Sequence, residues 1–72
     1  MIILVDFKKS GKRLKILRLN KRLTPKAVCD SLHINESVLQ NLENGNVPIS
    51  SDILRKLANM YSSSEDYILY GD

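Results

Sequence analysis

The sequence predicts an all-α fold, a compact bundle of five short helices. Three observations carry this. Helix-start and helix-stop signals recur along the 72 residues with only short stretches between them, as in small helical domains. Apolar residues recur at intervals of three and four, most clearly Ile53, Leu54, Leu57, Ala58 and Tyr61, the pattern of one buried helical face. No repeat, low-complexity segment or linker divides the chain. Residues 1–72 therefore read as one domain, near the lower size limit for folding without disulfides or metal.

Each element has a local reason. The first helix is predicted from about Gly11 to Asn20, with Leu14 and Leu17 facing inward. Residues 1–9 then form an N-terminal extension. The second helix opens at Thr24, whose hydroxyl can cap it, and Pro25 fits a first position that needs no N–H partner. Val28 and Leu32 face inward four residues apart, and Ala27 and Cys29 are small enough for close helix contact. The turn is His33-Ile34-Asn35, and Asn35 is a good cap for a third helix from Glu36 to about Glu43. Asn44-Gly45 stops it with residues that tolerate left-handed backbone angles. Pro48 makes Val47 extended. Ser50 or Ser51 caps the fourth helix, with Asp52 favourable in its first turn. Ser63 or Ser64 caps the fifth, and Gly71 ends it.

Composition narrows the function. One Cys and one His are too few for a disulfide framework or a structural metal site. The apolar start MIILV runs five residues before Asp6, too short for a signal-peptide core or a membrane span. The chain is therefore expected in the cytoplasm, with no membrane partner. No nucleophile, paired acid and base, or second ligand stands near His33, so neither enzymatic activity nor a metal or other cofactor is expected, and no small-molecule ligand is predicted. Net charge is +3, but residues 1–26 carry +8 and residues 27–72 carry −5. A basic block of this kind suits a polyanion such as nucleic acid, or an acidic protein surface. A solvated helix surface that aids solubility would look the same.

The third helix shows a second pattern. At about 100° per residue, Val38, Leu39 and Leu42 fall on one side, and Ser37, Gln40, Asn41 and Asn44 on the other, with Glu36 at the edge. Carboxamides form bidentate pairs with the edge of adenine, Ser can bond several base edges, and Val38 at the margin could touch a thymine methyl. No Lys or Arg lies on this helix. It is suited to reading bases, while the basic block would grip phosphates.

The stretch LTPKAVCDSLHINESVLQNLENG, residues 23–45, resembles the helix-turn-helix of the phage lambda-type repressor and Cro family, the xenobiotic-response-element type of bacterial regulator. Leu14, Leu17, Arg18, Leu23-Thr24, Val28, Leu32, Ile34, Leu39, Leu42 and Glu43-Asn44-Gly45 carry the match, and LRKLANMYSSSEDYILYG resembles the family's last two helices. The resemblance covers about residues 10 to 71 and implies a lambda-repressor-like domain with its helix-turn-helix at 24–44.

It also implies roles. Glu36 and Ser37, with Gln40 and Asn41 one turn later, would meet base edges in the major groove. Lys12, Arg13, Lys26, Asn44 and Asn46 would contact phosphate. Arg18 and Glu43 would form a partly buried structural ion pair. Three positions depart from the family pattern: Pro25 where Gln is common, Glu36 where a donor is common, and His33 where Gly usually makes the turn. The implied function is a sequence-specific, DNA-binding transcriptional regulator, a small phage or mobile-element repressor whose partner is double-stranded DNA, nucleoid-associated when bound. The alternative is a helix-turn-helix fold that regulates another protein and binds DNA weakly or not at all; Pro25, Glu36 and the acidic second half favour it.

One feature lies outside the family pattern. Ile16 and Leu19 fall opposite Leu14 and Leu17, and such a stripe needs a cover. Residues 1–7 are expected to supply it, folded on their own helix or paired with a second chain. Residues 67–70 are another candidate homodimer surface.

Overall fold

A computed structural model describes residues 4–72 of the chain. Its elements are α1 (Phe7–Asn20), α2 (Pro25–Leu32), α3 (Glu36–Glu43), α4 (Ser51–Met60) and α5 (Glu65–Tyr70). The described residues contain no strand.

α1 starts four residues earlier than its sequence suggests. Asp6 is the reason: its carboxylate accepts from the backbone N–H groups of Lys8 and Lys9 at 3.1 and 3.2 Å, a side-chain N-cap. Gly11 is not a start signal but an interior residue. A Cβ there would stand 2.5 Å from the carbonyl oxygens of both Leu42 and Glu43. Only glycine lets α1 cross the end of α3 that closely. Lys8 and Lys9 are thus helical, not part of an extension. Residues 1–3 lie outside the described residues. Leu4 is 83 % exposed and does not provide the cover expected over Ile16 and Leu19, which are 54 % and 55 % exposed.

The other starts follow the sequence closely. Thr24 Oγ1 accepts from Ala27 N–H, Ser50 Oγ from Ile53 N–H and Ser64 Oγ from Tyr67 N–H. Between the serine alternatives, Ser50 and Ser64 are the caps. Asn35 has the extended cap backbone but makes no side-chain capping bond.

The first four helices stop in one way. Leu23, Ile34, Asn46 and Ser63 each donate a backbone N–H to the carbonyl five residues back, at 2.9–3.1 Å. Before each stands a left-handed residue: Arg22, His33, Gly45 and Ser62. This is the 6→1 bond of the Schellman motif. His33 takes positive φ as its place in the turn demands; Arg22 and Ser62 do so without any sequence cue.

The core is one cluster. Leu14, Val28, Leu57 and Ile68 are 0 % exposed and Leu39 is 1 %, each burial contributing about 1.5–3 kcal/mol. Cys29, Leu32, Leu42, Leu54 and Tyr61 complete its centre. α1 is the spine. It packs on α3 through Gly11 and on α5 through two polar ties. Ser10 Oγ donates to Leu69 O at 3.1 Å and Arg13 Nη1 donates to Ile68 O at 3.1 Å. These satisfy carbonyls that the end of a short helix leaves open.

Candidate nucleic-acid interface

The helix-turn-helix is α2, the left-handed turn at His33 and α3. Leu39 and Leu42 pin α3 to the core and are 1 % and 2 % exposed. The 3.6-residue period then turns Glu36, Ser37, Gln40 and Asn41 outward, and all four are exposed. Val38 is 37 % exposed, enough to offer a methyl group at the margin. Asn44 and Asn46, just past α3, are exposed as well. Asn46 Nδ2 donates to Asn41 Oδ1 at 3.2 Å. That bond holds the Asn41 carboxamide in place and leaves its two N–H donors and one lone pair free.

Arg18 and Glu43 fix the back of α3. Arg18 Nε and Nη2 donate to the two Glu43 oxygens at 2.8 and 3.2 Å, and Nη1 donates to Leu23 O at 3.0 Å. Side-chain exposure is 7 % and 8 %. The hydrogen bonds that Glu43 accepts push the guanidinium pKa up further, against the opposing effect of burial. The two residues that the family resemblance pairs are thus joined bidentately, and this places Glu43 against α1, turned from the outward face of α3.

The cationic residues do not act as one group. Lys12 is exposed and lines a groove of about 370 Å³ with Lys8, Lys15, Glu43 and Asn44. Arg13 sits on the opposite side of α1, donating to α5 and close against Gly71. The fold therefore does not bring Arg13 together with Lys12. Lys26, at the start of α2, pairs with Asp30 at 3.0 Å. The Asp30 hydrogen bond and charge, with a weaker contribution from Glu36, raise its pKa. Lys8 and Lys15 are not among the residues that the sequence assigns to phosphate. Their spacing with Lys12, four then three residues, puts all three on one helical face, and Lys8 joins that face because α1 begins at Phe7 rather than Gly11.

No described helix is long and apolar enough to cross a membrane. Among the described residues no group of three His, Cys, Asp or Glu side chains is placed to hold a metal ion. Cys29 is buried, which pushes its thiol pKa up and suits a small core residue.

A family model described as "Helix-turn-helix domain" matches residues 11–67. The HTH-type transcriptional regulator ImmR of Bacillus subtilis (strain 168) is 39 % identical over 62 residues, covering 86 % of this chain and 49 % of that protein. The chain thus spans about half the length of that curated relative. Among solved structures, the restriction-modification controller protein C.AhdI from Aeromonas hydrophila superposes with a TM-score of 0.79 at 25 % identity, covering 89 % of this chain and 97 % of that one. The DNA-binding domain of BldD superposes with a TM-score of 0.75 at 21 % identity, covering 89 % and 93 %, a likeness of fold.

Proposed function

We infer function from family and geometry together: this chain belongs to the helix-turn-helix domain family, and we propose that it is a sequence-specific DNA-binding transcriptional regulator. The observation that carries this is the outward face of α3. It presents Ser37, Gln40 and Asn41 to solvent, beside a lysine-lined groove on α1. α3 would enter the major groove, with Glu36, Ser37, Gln40 and Asn41 toward base edges. Asn41 is the strongest base reader, because Asn46 orients its carboxamide before DNA arrives. Glu36 would accept from cytosine N4. Lys12, Lys26, Asn44 and Asn46 would hold phosphates. Arg13, already bonded to α5, would add long-range charge more than a direct contact.

The likenesses to the transcriptional regulator ImmR and the controller protein C.AhdI support a regulatory role; a small repressor of a phage or mobile element is the form of it that we propose. A cytoplasmic, nucleoid-associated protein follows from that role. As a homodimer it would recognise a near-palindrome with half-sites about one helical turn apart.

One arrangement favours a second reading. Lys26 is engaged by Asp30 and lies within the field of Glu36, so carboxylates stand at the end of α3 that would enter the groove first. A helix-turn-helix fold that regulates another protein would tolerate this. Selection of bound duplexes from a random pool, followed by titration of the selected site at two salt concentrations, separates the readings. The DNA reading expects a converged motif and an affinity that falls steeply with salt. No convergence, and no duplex binding even at low salt, would leave the protein-regulating reading.

A further inference from the structure

We propose that Lys8, Lys12 and Lys15 form one continuous track for a DNA phosphate backbone, running along α1 beside the end of α3; this rests on the DNA-binding reading above. It lengthens the expected contact beyond α3 and adds Lys8 and Lys15 to the phosphate-holding set.

The track is built by the fold. Gly11 lets α1 lie against the Leu42 and Glu43 carbonyls. Gly45, at φ 72°, lies so close to α1 that a Cβ would meet the Lys8 Cα at 2.5 Å. These approaches bring the three lysines of α1 together with Asn44 in the lining of one groove. All three lysines are exposed, and none makes an ion pair among the described residues. Glu43 also lines the groove, but both its oxygens are taken by Arg18, so it does not neutralise the lysines.

The dimensions suit a nucleic-acid strand. From Lys8 to Lys15 the helix rises about 10 Å. A DNA strand carries one charge per about 3.4 Å of duplex axis, and successive phosphates lie farther apart than that along the winding strand itself, so a track of this rise meets about two to three phosphates. The groove also reaches the end of α3, where Glu43 and Asn44 line it. Asn44, in its lining, stands two residues before Asn46, which holds Asn41. A strand held by the lysines would thus border the base-reading surface. An acidic protein would match the charge but has no need of this continuity or spacing.

The test compares two triple variants of the whole chain on the same selected duplex. The first is Lys8→Gln/Lys12→Gln/Lys15→Gln. The second, Lys9→Gln/Lys21→Gln/Arg55→Gln, removes the same charge elsewhere. The slope of log affinity against log salt should flatten by about 2–3 in the first, at roughly 0.9 per phosphate lost, and by clearly less in the second. Preference for the selected site over random duplex should stay within about twofold, because phosphate contacts carry no sequence. Lys8→Arg/Lys12→Arg/Lys15→Arg should keep the slope, which guards against a folding defect. Equal slopes in the two triple variants, with tight binding by the parent, would overturn the track and leave the DNA reading intact. Unchanged duplex binding with lost binding to polyglutamate would also overturn it, assigning the lysines to an acidic protein. Failure of the parent chain to bind any duplex would instead remove the DNA reading and the track with it.

Discussion

Glu43→Gln isolates the charge that fastens α3 to α1. The pair is 7 % and 8 % exposed in its side chains, and the carboxylate takes two guanidinium N–H groups at 2.8 and 3.2 Å. Removing one partner of a buried pair costs about 3–5 kcal/mol, since the other charge stays desolvated and unmatched. Gln keeps one acceptor for Arg18, so the lower figure of about 3 kcal/mol applies. At roughly 0.05–0.15 kcal/mol per residue, a domain of this length holds only about 4–11 kcal/mol in all. The substitution should therefore lower the melting temperature by roughly 12–24 °C, read by circular dichroism at 222 nm (about the far-ultraviolet helix band) and by urea unfolding. Arg18→Met/Glu43→Leu, which removes both charges, should recover most of the loss. A Glu43→Gln cost below about 1 kcal/mol, or a double variant no better than the single, would refute the claim that desolvation dominates here.

Other expectations follow from single features. Asn41→Ala should weaken binding to the selected site by about 1–3 kcal/mol while leaving random duplex nearly unaffected, measured by fluorescence anisotropy. Ser62→Gly should stabilise by about 0.5–1 kcal/mol in urea unfolding: Ser62 sits at φ 54°, a left-handed cost of about 1–2 kcal/mol, partly offset by the extra freedom glycine brings to the unfolded chain. Tyr61 is 2 % exposed, and its hydroxyl has no hydrogen-bond partner among the described residues. Burial, with the nearby Glu43 charge, pushes its pKa well above the ordinary value. The folded state thus resists its ionisation, and this contribution is intact below about pH 10 and lost as pH rises beyond it. Tyr61→Phe should flatten that alkaline decline and leave neutral-pH stability equal or up to about 1 kcal/mol higher; a loss above about 1 kcal/mol would show that the hydroxyl is bonded.

Features set by neighbouring residues were legible in the sequence. Thr24-Pro25 starts α2 because a hydroxyl cap and a missing N–H both serve a first turn. His33 takes the left-handed turn at the end of α2, at the position where the family resemblance places glycine. Arg18 and Glu43 were paired through a family resemblance, and the fold brings them together as expected. What escaped depends on contacts distant in sequence. Gly11 looks like a boundary and is a crossing point, because only the α3 carbonyls explain the missing side chain. Ser10 and Arg13 look like surface residues on a basic helix and instead bond α5. A start at Gly11 also leaves Lys8 off the face that Lys12 and Lys15 share. The outward face of α3 was readable because its two flanks differ in polarity, whereas the Asn41–Asn46 bond depends on how the chain turns at Gly45.

The two sides of α3 answer to different demands. Leu39, Leu42 and Glu43 hold it in the molecule; Glu36, Ser37, Gln40 and Asn41 are exposed, and of these Asn41 is tied only to the exposed Asn46. Side chains at the second set can be exchanged with little penalty to folding. Under the proposed DNA-reading role, such a helix is an interchangeable key on a fixed shank: new operator preferences would arise by a few substitutions without rebuilding the domain.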